Sequence, residues 1–377
     1  MKILIDARLY GLENTGIGRY LINLIDGLNK QKVSHKYILL LRKKYFDQLS
    51  LNENWNKVLA ELGHYTIEEQ VKMPRLIGSF EPDLVHFPHF NIPVFWKGKF
   101  VVTIHDMSMH YQGINATKLP LPLYLLKRLP YKYIFRKAVY KSNKIITPSN
   151  VVKKGLTEYY NINESKINTI YEGVDKIYFI ERKNDIINKY DLKNEYFLHV
   201  GNVYPHKNIE AAIEAVININ KNRKNAVLLA ISCSRNEFTD RLGSIIRKRR
   251  AEKFVRMLGF VPDKDLVDLY ERSVGYIYPS FSEGFGLQGL EAMASGTVVL
   301  ASNIPIFKEI YRDYAFYFNP GNISSLVSAM EYVLSMNRDE RDLLTEKSNI
   351  FVKNYSWEKM AEETLLVYEQ AFTKNET

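Results

Sequence analysis

The sequence predicts an α/β protein of two domains, each built on a doubly wound parallel sheet, and three observations carry that expectation. Short apolar runs with strand character alternate with segments whose apolar residues recur at helical intervals, the pattern of crossover units in a parallel sheet. The pattern also starts twice: a polar stretch, Glu181 to Lys193, reads as a linker between a first domain over residues 1–180 and a second over 181–355. Finally, 377 residues with 46% hydrophobic content suffice for two buried cores.

The chain begins MKILIDARLY, in which Ile3 to Asp6 reads as a first buried strand. The charges at Lys2, Asp6 and Arg8 come too early for the apolar core of a signal peptide. Next comes Asn14-Thr15-Gly16-Ile17-Gly18-Arg19-Tyr20. Gly16 and Gly18 let the backbone turn tightly and approach a ligand, although the third glycine of a dinucleotide fingerprint is missing and a plain turn is the competing reading. Ile17, Leu21, Leu24, Ile25 and Leu28 then share one stripe of a helix. Further strands are expected at Tyr37 to Leu41, Leu84 to Phe87, Phe100 to Ile104 and Lys144 to Thr147. Three of them run into loops with polar groups: His86-Phe87-Pro88-His89, His105-Asp106 and Thr147-Pro148-Ser149. A lone histidine is more often structural than catalytic, and Ser149 suits a helix N-cap.

The second half opens on a strand, Tyr196 to Val200, followed by Gly201-Asn202-Val203-Tyr204-Pro205-His206-Lys207-Asn208. Strands at Ala226 to Ser232 and Val255 to Phe260 flank a basic helix near Asp240 to Arg250. Asp263 and Asp265, spaced i and i+2, invite a metal reading. Pro262 before them and Leu266, Leu269 and Tyr270 after them instead describe a helix start, where acidic residues suit the dipole, so no metal is expected. The richest stretch is Pro279 to Gly296, PSFSEGFGLQGLEAMASG, between apolar runs at Val274 to Tyr278 and Thr297 to Ala301. It reads as strand, glycine loop, helix, strand, and its loop lies where open α/β sheets bind ligands. Glu283 stands in the loop and Glu291 on the helix, too far along to cap the first turn and suited to reach a ligand from the side. Two solvated glutamates are the alternative. Ser302 to Pro305 and Phe318 to Gly321 read as turns.

Composition excludes several classes. A single cysteine, Cys233, rules out an internal disulfide or a cysteine-rich metal site, and suits a buried residue in a reducing compartment. No run of about 18 apolar residues exists to span a membrane. The net charge of +10 is uneven: Met107 to Thr157 holds no acid and ten cations, among them Lys118, Lys127, Arg128, Lys132, Arg136, Lys137 and Lys141. Leucines and aromatics are interleaved with them. That mixture suits an anionic membrane surface over 118–141; its aliphatic share argues against nucleic acid, and a solvated helix face is the plain alternative.

Ser282-Glu283-Gly284-Phe285-Gly286-Leu287 with Glu291, the loop from Val200 to Asn208 and the GIGRY string resemble the retaining glycosyltransferases of the GT-B type, in particular glycosyltransferase family 4. The resemblance spans nearly the whole chain. It implies two Rossmann-like domains facing across a cleft, with a terminal helix, 356–377, packing back on the first. It further implies a nucleotide diphosphate sugar as donor, no cofactor and no metal. In the family pattern Glu291 accepts from ribose hydroxyls, Lys207 meets the diphosphate, and Glu283 with Gly284, Phe285, Gly286 and Leu287 holds the sugar. The first glycine loop, Gly16 and Gly18, approaches the diphosphate or the acceptor. His105 faces the transferred sugar, and Asp106, His89 and Ser149 are assigned to the acceptor. One departure stands out: the arginine usual after the loop glycine is Asn202 here, which leaves Lys207, with Arg19 or Lys308 as possible helpers, to neutralise the phosphates. The resemblance is strongest to mannosyltransferases of bacterial surface polysaccharides. That implies GDP-mannose as first donor, a lipid-linked acceptor, and a cytoplasmic enzyme at the inner face of the membrane. Uridine or thymidine donors, a sugar phosphorylase and a catalytically silent scaffold are the alternatives.

Overall fold

The computed structural model describes residues 1–111, 121–180, 186–233 and 237–373. The chain divides into two compact units, 1–173 with 357–377, and 174–356.

In the first unit, β1 (Lys2–Asp6), β2 (Lys36–Leu41), β3 (Trp55–Leu59), β4 (Leu84–Phe87), β5 (Phe100–Thr103), β6 (Lys144–Thr147) and β7 (Ile167–Thr169) pair in the order β3-β2-β1-β4-β5-β6-β7. All are parallel; Ile3 sits beside Tyr37 on one side and Leu84 on the other. The chain winds from β1 outward to β3 and returns to β4, so the order reverses between β1 and β4. Central strands are covered on both faces, and therefore read as continuous apolar runs. Leu4, Val85, Val102 and Ile145 pack with Phe135, Val139 and Leu156 of the helices Leu121–Lys141 and Asn150–Tyr160. Each such side chain withdrawn from water stabilises the unit by about 1.5–3 kcal/mol. β3 and β7, the edge strands, were not expected. They are half exposed or three residues long, and pairing with a strand already in place defines them.

The helix Trp357–Thr373 belongs to this unit. It lies against the helix Thr15–Lys30 at Gly27, where a Cβ would come within 2.4 Å of the Ala361 methyl. Its Tyr368 hydroxyl lies 2.7 Å from Nδ1 of His86 on β4.

The second unit repeats the plan: β8 (Tyr196–Val200), β9 (Leu228–Ser232), β10 (Val255–Gly259), β11 (Gly275–Tyr278), β12 (Val299–Ser302) and β13 (Ala315–Phe318), in the parallel order β10-β9-β8-β11-β12-β13. Its reversal falls between β8 and β11, where Phe197 is in register with Gly275. Leu229, Ile231, Ile277 and Leu300 meet Ile213, Val216, Leu326 and Met330 in its core.

The division falls at Gly173–Val174, ahead of the expected 180–181, because residues just after it pack into the second unit. Tyr178 is buried edge-on to Tyr270, and its carbonyl accepts from the Ser295 hydroxyl. Nor is Glu181 to Lys193 a plain linker. Residues 181–185 lie outside the described part, but Ile186 is buried and Lys189 and Tyr190 both hold the Asp265 carboxylate.

Candidate active site

The loops after β8 and β11, the strands flanking the reversal of the second sheet, are tied together. After β8, Gly201 takes φ +136°, open to glycine, and the chain passes through a short turn, Pro205–Lys207. Asn208 follows in the left-handed conformation, φ +56°, and its side-chain amide donates to the carbonyls of Pro279 and Pro320 at 3.1 and 3.0 Å. The Phe281 N–H donates to the His206 carbonyl, 2.8 Å. Three loops are thus stapled around one spot, and Lys207 reaches across it: Nζ lies 2.6 and 2.7 Å from the two oxygens of Glu283. The Ser280 hydroxyl adds a 2.7 Å bond to the same carboxylate. Lys207 is 18% and Glu283 9% exposed, so the pair sits in a partly desolvated setting where fixed charges act strongly. Beneath the ammonium, Tyr278 presents its ring at 5.9 Å. Burial, with Glu283 nearby, raises the Tyr278 phenol well above its usual range, so it stays neutral.

The helix Leu287–Ala294 starts at Gly286, φ +99°. A Cβ at Gly286 would lie 2.4 Å from the Tyr311 hydroxyl, and one at Gly289 equally close, while the Gly286 carbonyl accepts from that hydroxyl. These glycines therefore admit the protein's own tyrosine, an inward reason for them beside any approach of a ligand. Phe285 packs edge-on to Tyr355, and Leu287 is buried at the helix start. Gly284 is half-buried beside Glu283. Glu291 is only 3% exposed, and its charge helps hold up the buried Tyr276 phenol, behind desolvation and Glu283. Asn202 makes no side-chain hydrogen bond among the described residues. Lys308, named above as a helper for Lys207, has its ammonium 3.4 Å over the Tyr317 ring on edge strand β13, and Arg19 lies in the other unit.

Asp263 and Asp265 open the helix Asp263–Arg272. Burial alone would raise the Asp265 carboxyl, but Lys189 and Tyr190 outweigh it and the pKa is lowered. Among the described residues no group of three or more His, Cys, Asp or Glu is arranged to hold a metal.

In the first unit, Gly16 and Gly18 lie within the first turn of the helix Thr15–Lys30. A Cβ at Gly18 would fall 1.9 Å from the Gly11 carbonyl oxygen, whereas one at Gly16 would meet nothing within 4 Å. Gly18 thus has an inward reason, the close approach of the chain's own backbone, beside any approach of a ligand to this loop. Just before this loop stands a buried charge cluster that sequence reasoning passed over. Arg8, 1% exposed, lies 2.7 Å from Asp6 and 2.6 Å from Glu69 and donates to the Leu62 carbonyl. Burial would raise the Asp6 carboxyl; Arg8 outweighs it and holds the pKa below its ordinary value.

Three expected acceptor groups have structural duties. Ser149 is fully buried, and its hydroxyl caps the helix Asn150–Tyr160 by accepting from the Val152 N–H at 3.2 Å. Asp106 accepts from the Ser108 N–H at 2.8 Å and so starts the short helix Ser108–Tyr111, although it remains exposed. His89 Nδ1 accepts from the Asn91 N–H at 3.2 Å; burial, then the charge of His105, lowers its pKa to about 3. His105 Nε2 lies within hydrogen-bonding distance of the Pro88 carbonyl, 3.0 Å, while Nδ1 stands 3.3 Å from Oε1 of Glu172 and Tyr20 meets the ring edge-on at 4.9 Å. Glu172 was missed because the short strand before it, β7, was missed, and with it the loop at its end.

The basic segment is only partly described. Lys118 lies outside the described residues, as do the side chains of 121–125 and Lys127. On the helix Leu121–Lys141, Phe135, Ala138 and Val139 face the core. Leu126, Leu129 and Tyr133, spaced i, i+3 and i+7, are 65%, 69% and 61% exposed, beside exposed Lys132 and Arg136. No helix among the described residues is long and apolar enough to cross a membrane.

Two parallel sheets with the same reversing order, one in each unit, make up the GT-B fold, and the family models that match this chain are those of glycosyltransferases. The family model "Glycosyltransferase Family 4" matches residues 14–176, and the model "Glycosyl transferases group 1" matches 181–350. The chain is 27% identical over 372 residues to the O-antigen chain mannosyltransferase RfbU of Salmonella typhimurium, covering 95% of this chain and 97% of that one. It is 25% identical to the O-antigen chain mannosyltransferase B of Escherichia coli, covering 98% and 99%. A solved glycosyltransferase from Rickettsia africae ESF-5 superposes with TM-score 0.73 at 20% identity, covering 99% of both chains. The two models between them take up most of the sequence, and the chain belongs to the family 4 glycosyltransferases.

Proposed function

We propose that this glycosyltransferase moves mannose from GDP-mannose, with retention of configuration and without a metal, to a lipid-linked glycan in the assembly of a bacterial surface polysaccharide. The observation that carries the reading is the Lys207–Glu283 pair at the ends of β8 and β11. Loss of a nucleoside diphosphate from an anomeric carbon builds negative charge on phosphate. An ammonium already fixed by Glu283 is preorganised to meet it, with no reorganisation needed at the moment of reaction. Glu283 in turn offers acceptor oxygens to sugar hydroxyls, and Glu291 to the ribose. The names of the two O-antigen relatives support mannose and a surface polysaccharide.

The outward stripe Leu126, Leu129, Tyr133 beside Lys132 and Arg136 supports peripheral contact with an anionic membrane, where lipid-linked acceptors reside.

The deciding experiment is a thermal-shift panel of GDP, UDP and dTDP sugars, followed by transfer assays with and without EDTA. A donor at about 100 times its Kd adds about 2.7 kcal/mol of stability. Stabilisation by a UDP or dTDP sugar but not by GDP-mannose would move the donor assignment. Activity lost to EDTA and restored by Mn²⁺ would end the metal-free reading, and absence of any stabilisation or turnover would favour a silent scaffold.

A further inference from the structure

Four buried polar groups form an unbroken chain beneath the strand ends of the first sheet. The Tyr368 hydroxyl lies 2.7 Å from Nδ1 of His86, Nε2 of His86 lies 2.8 Å from Oγ1 of Thr103, and that oxygen lies 3.2 Å from the Tyr20 hydroxyl. The four come from the terminal helix Trp357–Thr373, β4, β5 and the helix Thr15–Lys30, and none is more than 2% exposed. Out of reach of water, each must find its partner within the protein, and a chain with one member left unpaired is worse than an apolar core in its place. The donors fall into one order. Burial lowers the His86 pKa to about 3, so its ring carries a single N–H. Burial also keeps the Tyr20 and Tyr368 phenols protonated. Among the described residues the Tyr368 hydroxyl has no hydrogen-bond partner other than Nδ1, so it donates there. The ring proton of His86 then sits on Nε2 and goes to Thr103, whose own hydroxyl is left to donate to Tyr20.

The far end of this chain meets His105. The Tyr20 ring stands edge-on to the imidazole at 4.9 Å, and Nε2 of His105 lies 3.0 Å from the Pro88 carbonyl. His86 comes two residues before Pro88 at the end of β4, and Thr103 two residues before His105 at the end of β5. The middle of the chain thus ties together the two strand ends that bring the imidazole and its carbonyl neighbour side by side.

We propose that Tyr368 is a positioning residue for His105: its hydroxyl, acting through His86, Thr103 and Tyr20, fixes where the imidazole stands, so that the terminal helix completes the site of the first unit. The proposal rests on the reading of this chain as a glycosyltransferase with His105 at the transferred sugar. The helix that carries Tyr368 follows the second unit in the sequence and packs in the first. His86 therefore gains its partner only when the last stretch of the chain has docked.

The test uses the full-length chain with ¹³C-labelled histidine rings, His105 being assigned by the signals lost in His105→Gln. Tyr368→Phe keeps the ring and removes the donor. The His105 signals should shift in this variant, because the Tyr20 ring current acting on them changes. Turnover should fall with them, kcat by about tenfold, short of the 10²-fold that a misplacement of about 1 Å can cost. KM for the donor should hold, since its diphosphate and ribose are assigned to the second unit. Thr103→Val, which breaks the chain in the middle, should give the same shift and loss, and serves if the Tyr368 variant does not fold. The double variant should lose no more than either single one, as expected for members of one network. His105 signals that stay in place in the variants overturn the proposal whatever turnover does, and so do losses that multiply in the double variant. If the His105 signals move but turnover does not, Tyr368 does position His105, and the placing of His105 at the transferred sugar is what fails.

Discussion

The two sheets share one strand order around their reversals, yet their strand ends carry opposite kinds of chemistry. In the second unit, a lysine and a glutamate that keep some exposure, 18% and 9%, meet across two loops, with a hydroxyl and the neutral Tyr278 beside them. In the first, the charges after β1 are sealed: Arg8, Asp6 and Glu69 pair among themselves at 1%, 6% and 0% exposure. The histidines of β4 and its loop are held neutral. A doubly wound sheet supplies a place for ligands at its reversal, but the side chains decide whether the place is chemically open or structurally closed. Sealed charges should therefore govern stability, and accessible ones turnover.

The largest effect expected from that contrast is on stability. Arg8→Ala leaves two buried carboxylates without their cation and should destabilise the protein by about 3–5 kcal/mol. Denaturant midpoints measure this, and a loss below about 1 kcal/mol would show that the cluster is not sealed. Lys207→Ala should act on the other quantity, lowering kcat by roughly 10² to 10³ with little change in melting, as expected for deleting one preorganised donor to a developing anion. Near-normal turnover would remove Lys207 from the site.

Acid should distinguish the units next. His86, His89 and His110 in the first unit are lowered to about 3, about 3 and about 4, and His199 in the second to about 4, burial being the leading cause throughout. Each is neutral when folded but takes a proton when unfolded below its usual value of about 6.5, so stability present above that pH drains away as pH falls toward 3 or 4. The loss is about 1.4 kcal/mol per pH unit for each histidine. His64, also in the first unit, is lowered by burial as well. With four against one, hydrogen exchange between pH 6.5 and 4 should open the first unit's amides before the second's; simultaneous opening would mean the burdens are equal.

Glycine substitutions give a smaller and local contrast. Gly18→Ala must displace the Gly11 carbonyl and should destabilise by about 1–3 kcal/mol, whereas Gly16→Ala has open space and should stabilise by up to about 1 kcal/mol. Calorimetry decides between them, and equal effects would show that the helix start is not packed as described. Smallest of all, Ser149→Ala should cost about 0.5–2 kcal/mol by loss of a cap while leaving the KM for acceptor unchanged. A raised KM would restore Ser149 to the acceptor site.

The sequence by itself determined the α/β class, the two sheets and the central strands, because a strand covered on both faces must be apolar throughout and its ends must be marked by loops. Leu84–Phe87, Lys144–Thr147 and Tyr196–Val200 were legible to the residue. Lys207 and Glu283 were marked by the resemblance of their loops to those of the family, whereas the cap at Ser149 and the helix start at Asp263 are matters of a few neighbouring residues. The tertiary structure alone decided which distant groups meet. Lys207 and Glu283 stand 76 residues apart, and pair because β8 and β11 adjoin at the reversal. Arg8 finds Glu69 across 61 residues, and Glu172 finds His105 across a sheet whose edge strand is too short to announce itself. Only the structure showed that Gly18 and Gly286 make room for the protein's own atoms. Periodicity and turn chemistry act between near neighbours, so they are written along the chain; the pairing of charges depends on which strand lies next to which, and only the completed sheet sets that.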